Sequence, residues 1–488
     1  IDHTVIQEPV VNVRLDQTSK SLSFHLPYAK GSELQIRGLE LSPEKINIKT
    51  LDLTTKKAEI FNGAEKVFSI DNGVDLSLSK INLPANNDST SWSAMVTKLS
   101  MKNDAGFTFN IKGNKLELKD ITLGDCMLSA GSVTDIDKLL TSNRVSWFST
   151  SSARYSTKNS LLKGFNVSYN IDRNILALDS FNYRPLKSRD SAIAANPYQI
   201  DYITFNAANT KLYGFDLVKY LNEDTLAIKK INLTRPSISV YRDKLPPFLA
   251  GIRKKLFVEQ INTIPLPVSI NQIAINDGTV SYTEKNGKTR TEGNLLLTHL
   301  NGNILDIGNY DLKNSDSLSI AFNGKLLDAA PFNLDIDQSY NDSLGGFVMA
   351  LKIEPTALSI LNPLLTPLSN VKFTSGNLDK FNMKATGNED FSYGEMNFYY
   401  HGLKILLLKN DETGKATVLK KIESALVNTF VLKKQNKEGT GLIYFRRLKD
   451  RSFFNYMTKI IGSGVTTSVG VKRNSRYRKK ILNDRAAK

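Results

Sequence analysis

Residues 268–282 read Val-Ser-Ile-Asn-Gln-Ile-Ala-Ile-Asn-Asp-Gly-Thr-Val-Ser-Tyr, and their spacing decides the fold. A step of two residues between apolar positions is the alternation of a β-strand, which places the apolar side chains on one face. A step of three is a slip in that alternation, and a bulge or tight corner at the slip returns the apolar side chains to the same face. The pattern therefore predicts a bent strand with one apolar face. Its positions are Ile270, Ile273, Ile275, Gly278, Val280 and Tyr282.

The same spacing recurs at irregular intervals along the chain. Weaker copies begin at Ile48, Ile200 and Leu368. Solenoids repeat at a fixed period, so the irregular intervals favour a sheet that grows strand by strand, with loops of variable length. One strong copy consists of Ile228, Ile231, Leu233, Pro236, Ile238 and Val240. Another consists of Leu118, Ile121, Leu123, Cys126, Leu128 and Ala130.

The repeated pattern predicts a mainly β fold: an elongated, curved and mostly antiparallel sheet that forms an apolar groove. The simpler alternative is an ordinary β-sandwich, whose strands show the same alternation. A chain of 488 residues is long for one compact core, so several domains or one elongated stack are expected. We predict groove repeats over 1–260, a C-terminal β region with helices over 261–432, and a basic segment over 433–488.

Local signals add a hairpin and two helices. Residues 165–178 alternate on both sides of a polar turn, which predicts a β-hairpin. Leucines at helical spacing predict a helix at 355–368, interrupted by Pro363 and Pro367. An apolar stripe at 415–431 predicts a second amphipathic helix toward the C-terminus.

A third amphipathic helix is predicted at 451–461, between two groups of basic residues. Asp450 or Ser452 is the candidate N-cap, and Gly462-Ser463-Gly464 is the predicted end. Apolar and aromatic bulk flanked by cations is typical of a helix lying on anionic lipid. The alternative is a cap helix packed on the fold, followed by a solvated basic tail. The predicted membrane-contact residues are Phe453, Phe454, Tyr456, Met457, Ile460, Ile461, Lys472, Arg473, Arg476, Arg478, Lys479 and Lys480.

Positive charge is concentrated at the C-terminus. The net charge of the chain is +16, and residues 433–488 contain 16 Lys or Arg and three acidic residues, or +13. The remaining chain is nearly neutral, so the charge belongs to a basic arm. Nucleic-acid modules interleave aromatic and base-reading polar groups on a compact fold. No such arrangement is present, so the predicted partner is a membrane surface and not a nucleic acid.

The single cysteine, Cys126, excludes a disulfide framework or a Cys-based metal site within the chain. No stretch approaches the ~18–20 consecutive apolar residues that span a bilayer. The sequence begins at Ile1, without Met, so we expect a processed or trimmed chain. The expected missing segment is a signal peptide or an anchoring helix.

No catalytic pattern is found. The sequence contains no His-Glu-x-x-His, no P-loop, no Gly-x-Gly-x-x-Gly and no Gly-x-Ser-x-Gly. Its histidines, His3, His25, His299 and His401, are scattered. We predict that His401 is a surface or hydrogen-bonded structural residue and that Asp277-Gly278 is a corner. The sequence thus predicts a non-enzymatic protein without a metal or cofactor.

The repeat units resemble the AsmA-like envelope proteins, and especially their Bacteroidota-type relatives of unassigned function. The likeness covers roughly 260–475, through 268–282 and a series of shorter motifs whose order along the chain is similar. These motifs are Leu361-Asn362-Pro363-Leu364-Leu365, Ser375-Gly376-Asn377-Leu378, Tyr393-Gly394-Glu395-Met396, Phe445-Arg446-Arg447 and Arg451-Ser452-Phe453-Phe454-Asn455-Tyr456.

This resemblance implies an inner-membrane anchor, a periplasmic body shaped as a twisted β-groove, and a role in moving phospholipid toward the outer membrane. It implies no catalytic residues. The anchoring helix is absent from this sequence, and the chain is short for a bridge between two membranes. A shuttle, an oligomer or a local scaffold is therefore expected.

The first functional hypothesis is a lipid-binding groove of the cell envelope. Acyl chains would lie against its apolar wall, gaining about 0.8 kcal/mol per buried methylene. Headgroups would stay in solvent, so poor headgroup selectivity is expected. Other envelope proteins are further candidate partners. The predicted lipid-binding residues are Ile121, Leu123, Ile228, Ile231, Leu233, Ile238, Val240, Ile270, Ile273, Ile275 and Val280.

Two other hypotheses remain at this point. A structural or adhesive β-protein would have a filled core, with two sheets packed about 10 Å apart. An enzyme, for example one acting on glycans, would bring two or three carboxylates together in a polar cleft.

Overall fold

In the computed structural model the chain is mainly β, with mostly antiparallel strands, as predicted. The described residues are 2–7, 11–15, 22–26, 32–43, 45–62, 65–70, 73–84, 93–102, 106–111, 113–129, 146–313, 315–410, 416–418, 434–470 and 474.

The strands before residue 200 are β1 His3–Gln7, β2 Val11–Leu15, β3 Leu22–Leu26, β4 Glu33–Leu41, β5 Lys45–Thr55, β6 Ala58–Asn62, β7 Glu65–Ile70, β8 Val74–Pro84, β9 Ser93–Met101, β10 Phe107–Ile111, β11 Asn114–Gly124, β12 Cys126–Ser129, β13 Trp147–Ser156, β14 Ser160–Asn170 and β15 Ile175–Pro185. The later strands are β16 Asp201–Tyr213, β17 Leu226–Asp243, β18 Val268–Lys285, β19 Glu292–Gly308, β20 Ser317–Leu326, β21 Ala330–Ser339, β22 Phe347–Ile353, β23 Thr356–Ala357, β24 Val371–Gly387, β25 Phe391–Asn410, β26 Ala416–Val418 and β27 Gly441–Arg446. The helices are α1 Arg189–Ala194, α2 Leu217–Glu223, α3 Phe257–Ile261, α4 Asn362–Ser369 and α5 Phe453–Ser468, with a 3-10 helix at Leu358–Leu361.

The chain divides into two compact units. Unit 1 is Ile1–Tyr183 with Ala208–Ile228, and unit 2 is Arg184–Ala207 with Lys229–Lys488. The predicted divisions after residues 260 and 432 do not coincide with these bounds. The described residues 434–470 belong to unit 2 because β27 pairs with β25 and α5 packs on both strands.

Unit 1 contains an antiparallel sheet in which strands that are close in sequence pair. The chain of neighbours runs β1, β4, β5, β8, β9, β11, β13 and β14. Strands β2, β3, β6 and β7 form a separate small sheet. The predicted hairpin at 165–178 is confirmed, because β14 and β15 flank a turn at 171–174.

In unit 2, antiparallel pairs connect β18, β19, β20, β21, β22, β24, β25 and β27 in that order. The exception is β17, which runs parallel to β18. The Lys244 amide just after β17 donates to the Lys285 carbonyl at the end of β18, at 3.1 Å. Near the middle of both strands, a Cβ on Gly278 would lie 3.3 Å from Pro236 Cγ. Corresponding positions of the two strongest repeat copies therefore lie side by side.

Left-handed residues lie at the second slip of the repeat, as the pattern predicts. Asp277 has a φ of 55°, and the β18–β19 register shifts on both sides of Gly278. Arg235 and Asp125 occupy the same position in their copies, with φ values of 48° and 53°. The left-handed residue interrupts the alternation, so Ile275 and Gly278 share a face: a Cβ on Gly278 would lie 2.9 Å from Ile275 Cγ2.

A left-handed residue marks the first slip in both places. In β11, Asp120 has a φ of 49° and separates Leu118 from Ile121, which belong to the same apolar cluster. In β19, Asp306 has a φ of 56°, and the β18–β19 ladder passes from Ile270–Ile307 to Gln272–Leu305 without pairing Asn271 and Asp306. The two strands therefore bend at this point as well, and the assignment of Ile270 to the same face as Ile273 stays a prediction.

The predicted C-terminal helices are found in part. The 3-10 helix and α4 occupy 358–369, with Pro363 in the first turn of α4 and Pro367 inside it. Of 415–431, only 416–418 lies within the described residues, and it forms strand β26 paired with β25 in place of the predicted helix. The rest of that helix lies outside the described residues and stays a prediction. Ser452 caps α5, because its side chain accepts a hydrogen bond from the Asn455 amide.

The predicted end of α5 at Gly462-Ser463-Gly464 is wrong, since the helix continues to Ser468. The small residues allow close packing instead. A Cβ on Gly464 would lie 2.6 Å from Met396 Cε. The Ser463 hydroxyl donates to the Tyr444 carbonyl of β27 at 2.7 Å. These contacts seat the helix directly on the sheet.

Candidate functional site

One apolar face extends across unit 2 from β18 to β27. Residues that are paired directly across antiparallel strands project to the same side of a sheet, so the face can be followed along a row of partners. That row is Ile273, Ile304, Ile320, Ile336, Met349, Ala385, Gly394 and Ile443.

Burial changes along this row. Ile273, Ile304 and Ile320 are half-buried, whereas Ile336 is 3% exposed and Met349 is 0% exposed. The face is thus apolar along its whole length and is shielded from solvent mainly toward the β27 end. On β19 it is also covered at Gly293 by α4, where a Cβ would lie 2.5 Å from Leu368 Cγ. We call the shielded part on β21 to β27 the covered region.

The covered region is a filled core. Helix α5 lies on β25 and β27, and Leu256 and Phe257 pack beside it. The Phe453 ring is 4.4 Å from the Phe257 ring and 5.1 Å from the Phe347 ring, measured between centroids. Aromatic pairs at such distances stabilise beyond the area they bury.

The open region is the part of the same face on β17 to β19. Its aliphatic side chains are half-buried, and none belongs to a buried core cluster of the described residues. The start of α5 borders this region, with the Phe454 ring 5.4 Å from the Tyr282 ring. The open region consists of Ile231, Leu233, Ile238, Val240, Ile273, Ile275, Val280, Leu295, Leu297 and Ile304.

A group of two cations, two carboxylates and a tyrosine lies at one end of the open region, where Arg242 and Glu284 follow Val240 and Tyr282 by two residues. We call Asp201, Arg242, Lys244, Tyr282 and Glu284 the rim cluster. Arg242 Nε donates to Asp201 Oδ1 at 2.7 Å, Lys244 Nζ lies 2.5 Å from Glu284 Oε1, and the Tyr282 hydroxyl donates to Glu284 Oε2 at 2.7 Å. Burial, followed by the hydrogen bond to Glu284, raises the pKa of Tyr282.

Predicted lipid-binding residues in unit 1 are placed differently. Ile121 is buried in an apolar cluster with Leu53 and Phe107, and half-buried Leu123 packs near Cys126. Ile228, the last residue of unit 1, is also buried. These three side chains belong to packed parts of the sheet. The predicted residues that lie in the open region are Ile231, Leu233, Ile238, Val240, Ile273, Ile275 and Val280. Half-buried Ile270 lies beyond the bend at Asn271 and Asp306.

The predicted membrane-contact stripe of α5 is mostly inside the covered region. Phe453, Tyr456 and Ile460 are buried members of its core, and Met457 and Ile461 pack against it. This placement corresponds to the alternative of a packed cap helix and leaves the stripe unavailable to a membrane. Phe454 is exposed at 42%. The predicted cationic contacts at 472–480 lie outside the described residues.

Two histidines pair with carboxylates at strand bends. His299 Nδ1 is 2.9 Å from Asp277 Oδ1, and His401 Nδ1 is 2.8 Å from Asp379 Oδ1. Both imidazoles are exposed and hydrogen-bonded, as was predicted for His401. Within the described part of the chain, no cluster of three or more His, Cys, Asp or Glu side chains is arranged to hold a metal.

The rim cluster was missed in the sequence, although a signal existed. Continuing the alternation of the two strongest repeat copies by one step reaches Arg242 in one and Glu284 in the other. Opposite charges at equivalent positions of neighbouring strands indicate an ion-paired end of an otherwise apolar face.

None of the family models, curated proteins or solved structures compared with this chain matched it. Among the described helices, none combines the length and the apolar character needed to cross a bilayer.

Proposed function

We propose that this chain is a non-enzymatic lipid-binding protein whose open region holds the acyl chains of phospholipid. The observation that supports this is the burial gradient along one continuous apolar face. A row that is fully buried at Met349 is left half-exposed at Ile273 and Ile304. Contiguous exposed apolar surface on a folded protein commonly marks a binding site.

Acyl chains suit this surface because it is aliphatic and elongated along the strands. Each methylene removed from water there gains about 0.8 kcal/mol, so several methylenes suffice for useful affinity. The rim cluster contributes two cations and two carboxylates, each of them paired. A neutral rim favours neither anionic nor zwitterionic headgroups, in agreement with the expected lack of headgroup selectivity.

The alternative of a structural β-protein with a filled core predicts a second sheet over the open region. In the described part of unit 2, the elements that pack on the apolar face are helices and the segment at Leu256 and Phe257. An envelope location, a role in lipid transfer or outer-membrane biogenesis, and kinship with AsmA-like proteins are parts of the same proposal.

The test is uptake of a fluorescent phospholipid by the purified chain and by two matched double variants. Ile231→Asp with Ile273→Asp places two carboxylates in the open region, at corresponding positions of neighbouring strands. Ser239→Asp with Ser281→Asp places the same charges on the opposite face of the same strands. We expect loss of uptake in the first variant and wild-type uptake in the second.

Both variants must keep the thermal unfolding midpoint of the wild type within a few degrees for the comparison to count. Equal uptake by the wild type and the folded Ile231→Asp/Ile273→Asp variant would reject the open region as the lipid site.

A further inference from the structure

A second surface of unit 2 has properties that the groove does not explain. Ile252, Leu344 and Leu448 are exposed at 49%, 51% and 49%. Among the described large hydrophobic side chains only Leu41, at 68%, is more exposed. The three residues lie on three loops far apart in sequence, and we call them the loop patch.

Glu389 joins these loops. Its amide donates to the Leu344 carbonyl at 2.9 Å. Its carboxylate accepts from Arg253 Nε at 2.8 Å, next to Ile252, and pairs with Arg447, next to Leu448. The three loops that carry these aliphatic side chains therefore meet at one carboxylate.

The backbone around the patch is also fixed. The Lys254 amide donates to the Lys449 carbonyl at 2.7 Å, and the Lys254 carbonyl accepts from the Arg447 guanidinium. The Arg447 side chain is fully buried. Exposed aliphatic side chains on such a fixed framework form a preorganised contact surface.

Three basic side chains near the loop patch have no carboxylate partner among the described residues. Lys254, Lys255 and Arg446 form no ion pair with any described residue. The nearby carboxylates are engaged by neighbouring cations or, for Asp342, by the Leu344 amide. These contacts are Glu259 with Arg253, Glu389 with Arg253 and Arg447, Asp390 with Lys449, Asp450 with Arg451, and Asp342 with the Leu344 amide.

We infer that the loop patch docks unit 2 on an anionic membrane surface, with Ile252, Leu344 and Leu448 entering the interface and Lys254, Lys255 and Arg446 facing lipid phosphates. Aliphatic residues beside unpaired cations suit an anionic bilayer. Protein interfaces are instead enriched in aromatic residues and depleted of lysine. The surface uses residues outside the open region, so it extends the proposed function.

The experiment is flotation of the full chain with vesicles of phosphatidylcholine alone and of phosphatidylcholine with about 30% phosphatidylglycerol. An apolar variant combines Ile252→Ser, Leu344→Ser and Leu448→Ser. A charge variant combines Lys254→Gln, Lys255→Gln and Arg446→Gln. The matched controls in unit 1 are Leu41→Ser, and Lys49→Gln with Lys98→Gln and Lys158→Gln.

We expect the wild type and both controls to float with the anionic vesicles. The charge variant should bind them about a hundredfold more weakly, since each of its three interfacial cations contributes about 1 kcal/mol. The apolar variant should bind them at least about tenfold more weakly, since it removes three aliphatic side chains from the interface. The basic residues at 472–480 are kept in every variant. Wild-type flotation of the folded patch variants would overturn the inference by assigning binding to that tail. A wild type that floats with neither vesicle would overturn it as well.

The experiments distinguish a wrong assignment of the docking surface from a wrong assignment of the lipid site in the open region. Lipid uptake by the patch variants depends on the open region alone, and flotation of the Ile231→Asp/Ile273→Asp variant depends on the loop patch alone. Normal uptake with unchanged flotation of the patch variants contradicts the docking surface and leaves the groove standing.

Discussion

The two ends of the apolar row from β18 to β27 differ in burial and not in the type of side chain. Ile273 and Ile304 at the β18–β19 end, and Ile336 and Met349 at the β21–β22 end, are all aliphatic and all project to the same side of the sheet. Only the second pair lies within the buried core that α5 completes. The alternation of a strand therefore determines an apolar face, whereas the packing of another element on it determines whether that face becomes a core or a surface.

The largest expected difference between the two regions is in stability. Met349→Ala removes a fully buried side chain and leaves a cavity, so we expect the free energy of unfolding to fall by about 2–5 kcal/mol. Ile273→Ala removes a half-exposed side chain whose site is in contact with solvent, and we expect a loss below about 1.5 kcal/mol. Urea unfolding followed by circular dichroism measures both.

Equal losses for these two variants would break the comparison. They would mean that Ile273 is shielded in solution as well as Met349, and that the open region is a core.

A smaller effect tests how α5 covers the sheet. Gly464→Val places a branched side chain where a Cβ already lies 2.6 Å from Met396 Cε, and overpacking of this kind costs about 1–3 kcal/mol. Gly462→Ala is the matched control, because nothing lies within 4 Å of its Cβ position. There we expect a gain of up to about 1 kcal/mol from helix propensity.

If Gly464→Val were neutral in thermal and urea unfolding, α5 would not be in close contact with β25. The covered region would then lose the feature that separates it from the open region.

The smallest effect depends on pH. Burial in the covered region raises the pKa of Tyr456 from 10.0 to about 12. The folded state therefore favours the protonated phenol, so this contribution to stability is complete below pH 10 and is lost as the pH rises toward 12. The free energy of unfolding of the wild type should fall between pH 8 and pH 11. In Tyr456→Phe this fall should be about 1 kcal/mol smaller, measured by urea unfolding at both pH values.

Tyr198→Phe, at an exposed tyrosine, is the control for that titration and should follow the wild type. An identical alkaline loss in Tyr456→Phe and the wild type would show that the phenol is accessible to solvent, contrary to its place beneath Arg447 and Phe347.

Sequence reasoning predicted the strands and the apolar face well, because alternation and turn residues act over short distances. The bends at Asp277 and Arg235 also followed from spacing alone. At the first slip of β18 the left-handed residue lies on the neighbouring strand, at Asp306, and the spacing within one strand could not place it there.

The sequence alone could not show which part of the apolar face is buried by another element. Phe347, Met349 and Leu351 alternate in the same way as Ile273 and Ile275, and nothing local indicates that a helix a hundred residues later will pack on the first set only. For the same reason, the apolar stripe of α5 was compatible both with a helix lying on a membrane and with a helix packed on a sheet. Gly462-Ser463-Gly464 fitted a helix end as well as a close contact, and long-range packing decided between them.

The most direct test of the central claim is native mass spectrometry, with organic extraction, of the purified wild-type chain and the Ile231→Asp/Ile273→Asp variant. We expect phospholipid at a defined stoichiometry on the wild type and none on the folded variant. A wild-type chain that is free of lipid and also fails to take up fluorescent phospholipid would contradict the account and favour a structural β-protein.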